Sequence, residues 1–215
     1  MNKHEVVRQL SASLAANRST LERWLAYPRQ LQQEYGLNPI LAGGAVRDLL
    51  MGQEVKDLDI FLSPSGWVGK RLGWSPEVAS KIAEREGWSL HKRGEEYGQT
   101  TPPLLSVWRF KSEFVEQRYD INLLVQDTSS NQLIRQFDFG LNQVAVNTFG
   151  ILAMSENFVE DVAGNKITIR NDRGRDVILR RYEMLSEKYP VPLVTPEGLE
   201  IAKPRQGLLL PGLGG

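Results

Sequence analysis

The chain has 215 residues, 41% of them apolar and 24% charged, which fits one medium globular domain able to bury a real core. Lysine plus arginine equals aspartate plus glutamate at 26 each, so the formal net charge is zero, unlike a general nucleic-acid coat or a basic membrane binder. Without cysteine there is no disulfide, thiolate–metal site or thiol nucleophile, and two histidines leave little for a His-rich zinc site.

Helical spacing opens the chain. Val6, Val7, Leu10 and Leu14 share one face over residues 3–17. A second periodic stretch turns Leu21, Trp24, Leu25 and Leu31 inward; Pro28 is expected to kink or divide it, and Gly36 to end it. These 36 residues form an N-terminal helical segment. They hold no apolar stretch of signal-peptide type, and no later run approaches membrane-spanning length. A cytoplasmic protein without a membrane partner is expected.

The texture then changes. Ile40-Leu41-Ala42 reads as a short buried strand, Gly43-Gly44 breaks it, Ala45 to Met51 reads as a short helix, and Asp57 to Leu62 as a second strand. Ser63 to Trp74 is a loop. Ser75-Pro76-Glu77 starts a helix that runs to about Glu86. Trp88 to His91 reads as a strand, followed by a polar loop to Thr101. Leu104–Lys111 and Phe114–Val125 read as strands joined at Ser112-Glu113. A short helix over Asn131–Phe137 precedes a strand pair, Leu141–Asn147 and Ile151–Met154. Ile167 to Ile169 is a last short strand, and Gly174 to Tyr189 a basic helix with Val177, Ile178, Tyr182 and Leu185 on its apolar side. Residues 190–215 are Pro/Gly-punctuated and read as an extended tail. The domain of interest is therefore 37–189.

Within it, Asp57 and Asp59 are two apart on a strand and point to one face. Paired carboxylates repel unless a cation joins them, and oxygen ligands of this kind suit Mg²⁺. An isolated acidic pair is also what a solvated strand end looks like. Gly43-Gly44 allows a sharp turn and close approach of a phosphate, with the N–H groups of the following helix facing it. Arg47 either contacts phosphate or locks the loop to a strand. Asp48 is either part of the chemistry or a structural ion-pair partner.

The ordered set Gly43-Gly44-Ala45-Val46-Arg47-Asp48, Leu49-Leu50-Met51-Gly52 and Asp57-Leu58-Asp59 resembles the signature of polymerase-β-like nucleotidyltransferases. It is most similar to the head domain of tRNA CCA-adding enzymes and bacterial poly(A) polymerases. In that family a block Arg-Arg-Asp-Phe-Thr-Ile-Asn follows the third strand. Here Gln136-Phe137-Asp138-Phe139-Gly140-Leu141-Asn142 corresponds, keeping Asp138, Phe139 and Asn142 but neither arginine. Phe158 to Arg170 and Arg175 to Arg181 resemble, more loosely, the family's aspartate-glycine turn and its Asp-Pro-x-Arg-Ile-Leu-Arg-Ala helix. The resemblance spans residues 37–189 with gaps and implies a compact, stand-alone relative, phage- or toxin-like, rather than a CCA-adding enzyme itself.

It implies an α+β fold: a mixed or antiparallel sheet flanked by helices, with an N-terminal helical extension. It also implies transfer of an NMP from an NTP, ATP or CTP, to an acceptor hydroxyl by two Mg²⁺ ions, for which Mn²⁺ can substitute. Asp57, Asp59 and Asp120 are the implied catalytic residues and metal ligands. Gly43, Gly44, Arg47, Asp138 and Asn142 are the implied nucleotide-binding residues. For Asp120, in Arg118-Tyr119-Asp120-Ile121-Asn122, the alternative is a strand-end aspartate paired with a cation. An RNA 3′ end leads as acceptor; a protein or small molecule, or a non-catalytic nucleotide-binding module, are the alternatives. Among the tryptophans, Trp67 and Trp74 are the ones placed to stack on a base, although packing is the commoner use. The arginines from Arg170 to Arg181 read either as a nucleotide or RNA contact or as a solvated face.

Overall fold

In the computed structural model, which describes residues 1–64, 76–93, 104–110, 120–126 and 130–204, seven strands form one mixed sheet. In chain order they are β1 (Leu37–Ala42), β2 (Asp57–Pro64), β3 (Ser89–Arg93), β4 (Leu104–Phe110), β5 (Asp120–Gln126), β6 (Val144–Asn147) and β7 (Leu152–Met154). Their spatial order is β3-β4-β5-β2-β1-β6-β7. Every neighbouring pair is antiparallel except β2 and β5, which run parallel at the centre. The expected α+β class with a mixed sheet is what the chain adopts.

Helices α1 (Lys3–Ala16), α2 (Arg18–Tyr35), α3 (Gly44–Leu50), α4 (Pro76–Glu86), α5 (Ser130–Ile134), α6 (Glu156–Gly164) and α7 (Arg175–Ser186) accompany the sheet, with a 3-10 turn at Gly140–Asn142. Asn2 caps α1 by accepting from the Glu5 amide at 2.8 Å. Pro28 does not divide α2: the helix is continuous, and the proline is buried among the apolar residues of the same face. The first two helices share one hydrophobic core with β1, β2 and α3 through Val6, Leu10, Leu25, Leu31, Leu41 and Leu58.

Alternation along the central strands divides the sheet into two unlike faces. Leu58, Ile60 and Leu62 of β2, with Leu41 of β1, enter the large core. Phe61, Ile40 and Ala42 face the other side, in a small cluster closed by Leu133 and Ile134 of α5. The small cluster covers only part of that second face. Asp57 and Asp59 have the parity of Phe61, so the strand period places both carboxylates on the thinly covered side.

Two features differ from expectation. The stretch 156–164 folds as α6, capped by Ser155, whose Oγ accepts from the Phe158 amide at 3.1 Å. Of the expected strand Phe114–Val125, residues 114–119 lie outside the described residues, and β5 covers Asp120–Gln126. Residues 190–204 are not a simple tail: β9 (Leu193–Val194) pairs in parallel with β8 (Ile167–Thr168), and β10 (Glu200–Ala202) pairs antiparallel with β9. Val191, Leu193 and Val194 are buried there. The Ser112-Glu113 turn, Trp67, Trp74 and residues 205–215 lie outside the described residues. No helix among the described residues is long and apolar enough to cross a membrane.

Candidate active site

Strand β1 runs into the sharp turn at Gly43, whose φ of 73° and ψ of −130° suit glycine. Its N–H donates to the Val144 carbonyl at 2.8 Å, so β6 holds the turn against the sheet. Helix α3 begins at Gly44, and the N–H groups of its first turn have no carbonyl acceptor within the helix. Ala45, Val46, Leu49 and Leu50 bury one side of α3 in the large core.

Arg47 and Asp48 are both buried. The Arg47 Nε donates to Asp48 Oδ1 at 2.7 Å, its Nη1 donates to Asn142 Oδ1, and its guanidinium lies 5.0 Å above the Tyr189 ring. Asp48 also accepts from the Tyr189 hydroxyl at 2.8 Å and from Lys188 Nζ, which in turn donates to the Glu54 carbonyl. Arg47 thus braces the glycine turn against the 3-10 turn. Asp48 is the centre of a buried cationic knot, the ion-pair alternative raised by its position in the sequence. Burial pushes the Tyr189 hydroxyl well above its ordinary range.

A cleft of about 430 Å³ opens beside this knot, lined by Gly44, Arg47, Lys56, Asp57, Asp59, Asp138, Asn142, Arg181, Met184 and Lys188 among others. A smaller lobe of about 140 Å³ shares Gly44, Asp59, Asp138, Asn142 and Arg181, and adds Gly43, Phe61, Phe137 and Arg173. Asp57 and Asp59 stand on the cleft floor. Burial, and then the neighbouring Asp57 charge, push the Asp59 carboxyl up to about 6, against the opposing bond from Asn122. Asn122, in register with Asp59 on the parallel strand, donates Nδ2 to Asp59 Oδ1 at 2.9 Å. Asp120 occupies the register position beside Asp57. Among the described residues no group of three or more His, Asp or Glu gathers as a metal cluster.

Asp138 is buried and meets two arginines. Arg173 Nε lies 2.5 Å from Oδ1, and Arg181 Nη1 pairs with Oδ2. The main chain reinforces this, because the Asp138 carbonyl accepts from the amides of Arg170 (2.7 Å) and Asn171 (3.2 Å). Phe137, beside Asp138, packs on Phe61 with ring centroids 5.5 Å apart. Gln143 pins the segment from below. Its Nε2 donates to the carbonyls of Arg135 and Phe137, and its Oε1 accepts from Ser155 and Asn157.

The cleft therefore assembles Asp57, Asp59, Gly43, Gly44, Arg47, Asp138 and Asn142, and places Asp120 alongside by backbone register. Sequence reasoning missed Asn122, Gln143, Lys188 and Tyr189. It left Arg173 and Arg181 within an undifferentiated basic run. Arg175 and Arg180 of that run are exposed, and Arg170 pairs with Glu160 at 3.3 Å. Arg135 is exposed and absent from the cleft lining. His4 and His91 are surface residues, and Trp24, Trp88 and Trp108 are buried.

A family model described as the poly A polymerase head domain matches residues 40–173. No curated protein matches the chain. Among solved structures, the chain is similar to the Thermotoga maritima CCA-adding enzyme complexed with tRNA, at a TM-score of 0.57 and 16% identity over 89% of this chain and 43% of that one. It is also similar to a tRNA-processing enzyme, at a TM-score of 0.53 and 20% identity, covering 82% of this chain and 44% of that one. A tRNA nucleotidyltransferase complexed with a primer tRNA and an ATP analog gives a TM-score of 0.50 at 21% identity, over 76% of this chain and 45% of that one. The chain spans less than half the length of these structures. At such identities the likeness is one of fold.

Proposed function

The chain belongs to the poly A polymerase head-domain family, and on that footing we propose that it transfers a nucleoside monophosphate from an NTP to an acceptor hydroxyl, breaking the α–β phosphoanhydride bond and releasing pyrophosphate. The observation that carries this reading is the Asp57–Asp59 pair on the floor of a cleft whose wall is the Gly43–Gly44 turn. A divalent cation fits the donors there. Two carboxylates share one strand face, and the proximity of the first raises the proton affinity of the second, a mismatch that Mg²⁺ would relieve. Asp57 and Asp59, with Asp120 by register, would hold it. When bound, Mg²⁺ would neutralise triphosphate charge and favour the ionised acceptor hydroxyl.

The chain's own residues supply positioning. Gly43 and Gly44 let phosphate oxygens approach the backbone, and the first N–H groups of α3 are donors to them. Arg47 and Asn142 fix this turn relative to the cleft floor. Asn122 holds the Asp59 carboxylate in one orientation. Asp138 orients cationic side chains toward the smaller lobe. Such a site works by placing the reacting groups and by preorganised electrostatics.

An RNA 3′ end is the leading acceptor, since solved structures of similar fold are described with tRNA and with CTP or ATP. The test is incubation of the purified chain with each labelled NTP, Mg²⁺ or Mn²⁺, and a cell extract, beside an Asp57→Asn/Asp59→Asn control. Label in nuclease-sensitive material, lost in the control, supports the RNA reading and identifies the nucleotide. Label in protease-sensitive material transfers the reading to protein modification, and label in small molecules to a drug-modifying type of reaction. No transfer with any NTP overturns the enzymatic reading.

A further inference from the structure

The segment preceding Asp138 carries Gln136 and Phe137, neither of them cationic, yet the lobe around the glycine turn is not short of positive charge. Arg173 reaches it from the loop before α7, and Arg181 from the second turn of that helix. Both meet the buried Asp138. The structure assigns to Arg173 and Arg181, oriented by Asp138, the role of a guanidinium clamp for the triphosphate of the incoming nucleotide. This assignment rests on the nucleotidyltransferase reading and deepens it.

Charge and geometry favour the clamp. One carboxylate between two guanidiniums leaves one net positive charge on the Asp138 side of a lobe whose other walls are the Gly43–Gly44 backbone and Asp59. Besides Lys56, which lines the larger cleft and not this lobe, two other cations beside the floor are differently committed. Arg47 gives Nε and Nη2 to Asp48 and Nη1 to Asn142, and Lys188 is held by Asp48 and the Glu54 carbonyl. Arg173 sets Nε against Asp138 Oδ1 as a charge contact and not a formed hydrogen bond, and a guanidinium carries two further amino groups in a fixed fork suited to phosphate oxygens. Its side chain is 27% exposed, and burial lowers its proton affinity, so an anion entering the lobe would meet a partly desolvated cation. The backbone supports the placement. The Asp138 carbonyl receives two amides from the 170–171 segment, and Gly174 N–H turns back on Asp172, which aims residue 173 at the lobe. Asp138 is accordingly a positioning residue.

The test is equilibrium titration of the full chain, in Mg²⁺, with ATP, CTP, adenosine and inorganic tripolyphosphate. Tripolyphosphate is expected to displace NTP. Arg173→Gln and Arg181→Gln are each expected to weaken NTP and tripolyphosphate in parallel by roughly tenfold or more, without a matching change for adenosine. Arg→Lys at either position should restore part of the loss. Because a glutamine beside a buried carboxylate can unsettle the fold, Asp138→Asn/Arg173→Gln serves as a second variant. It is expected to keep the wild-type thermal midpoint while remaining weak for tripolyphosphate. NTP binding by the wild type with unchanged affinity in the variants overturns the clamp alone. So does recovery of tripolyphosphate affinity in the double variant, which would make the arginines mere counter-ions for Asp138. Failure of the wild type to bind any NTP overturns the clamp together with the reading beneath it.

Discussion

Asp48 and Asp59 lie eleven positions apart on either side of one turn, and the protein treats their charges in opposite ways. Asp48 is surrounded by Arg47, Lys188 and the Tyr189 hydroxyl, so its negative charge is spent inside the fold. Asp59 takes a bond from a neutral amide, Asn122, and its strongest charged neighbour is another carboxylate. The first arrangement holds a turn in place. The second sets one carboxylate beside another at a cleft floor, an arrangement that a cation from outside would relieve. Burial alone does not distinguish a structural aspartate from a working one; the sign of the neighbouring charges does.

Removing both carboxylates should give the largest effect. Asp57→Asn/Asp59→Asn is expected to lower transfer by at least about a thousandfold, with the thermal midpoint in metal-free buffer unchanged or raised. A parallel collapse of stability would place this pair with Asp48. Asp48→Ala is expected to do the opposite. It leaves two cations and a hydroxyl without their shared acceptor, costing about 3 kcal/mol or more, or roughly 10 °C of melting temperature. A melting curve unmoved by that change would show the knot to be dispensable.

The pH dependence sharpens the same contrast. Burial and the Asp57 charge push the Asp59 carboxyl up to about 6, above the ordinary aspartate value of 3.8, so the folded chain binds this proton more tightly than the unfolded one. Its contribution to metal-free stability is full below the unfolded value and is lost as pH rises through 6. A cation that replaces the proton should offset that loss, so Mg²⁺ should raise the melting temperature more at pH 8 than at pH 5. Equal shifts at both pH values would detach Asp59 from the metal. Asn122→Ala should weaken the Mg²⁺ effect by about tenfold in concentration, as loss of a ligand-orienting bond does. Gly43→Ala leaves the carboxylates untouched and should cost about 2 kcal/mol, measured by denaturant titration. The added Cβ meets only the Phe137 ring at 3.6 Å, but the positive φ is strained for alanine.

What could be read from the sequence was what local order encodes. Strand period and two glycines suffice to put Asp57 and Asp59 on one face beside a sharp turn. The long-range partners were not legible. Arg181 meets a carboxylate 43 positions away, and Lys188 one 140 positions away, so in sequence both look like solvated charges on a basic helix. Helix α6 was missed because Asn157, Glu160 and Asp161 interrupt its apolar period. Asp161 is in fact buried, accepting from the Thr168 amide and hydroxyl. Pro190 and Pro192 make 190–194 look like the start of an extended tail, although Val191, Leu193 and Val194 are buried. Pro28 was read as a break because propensity is local, whereas the packing of Trp24, Leu25 and Leu31 is not.

The knot around Asp48 also bears on the order in which the molecule can be made. Its aspartate and arginine leave the ribosome early, but Lys188 and Tyr189 follow only after 139 further residues have been joined. Until then the glycine turn carries Asp48 and Arg47 without the ring and ammonium that enclose them. The sheet can be assembled during synthesis, but the turn reaches its final charge-balanced form only after residue 189 has emerged. A nascent chain halted before that point would hold the strands of the site and not its finished geometry.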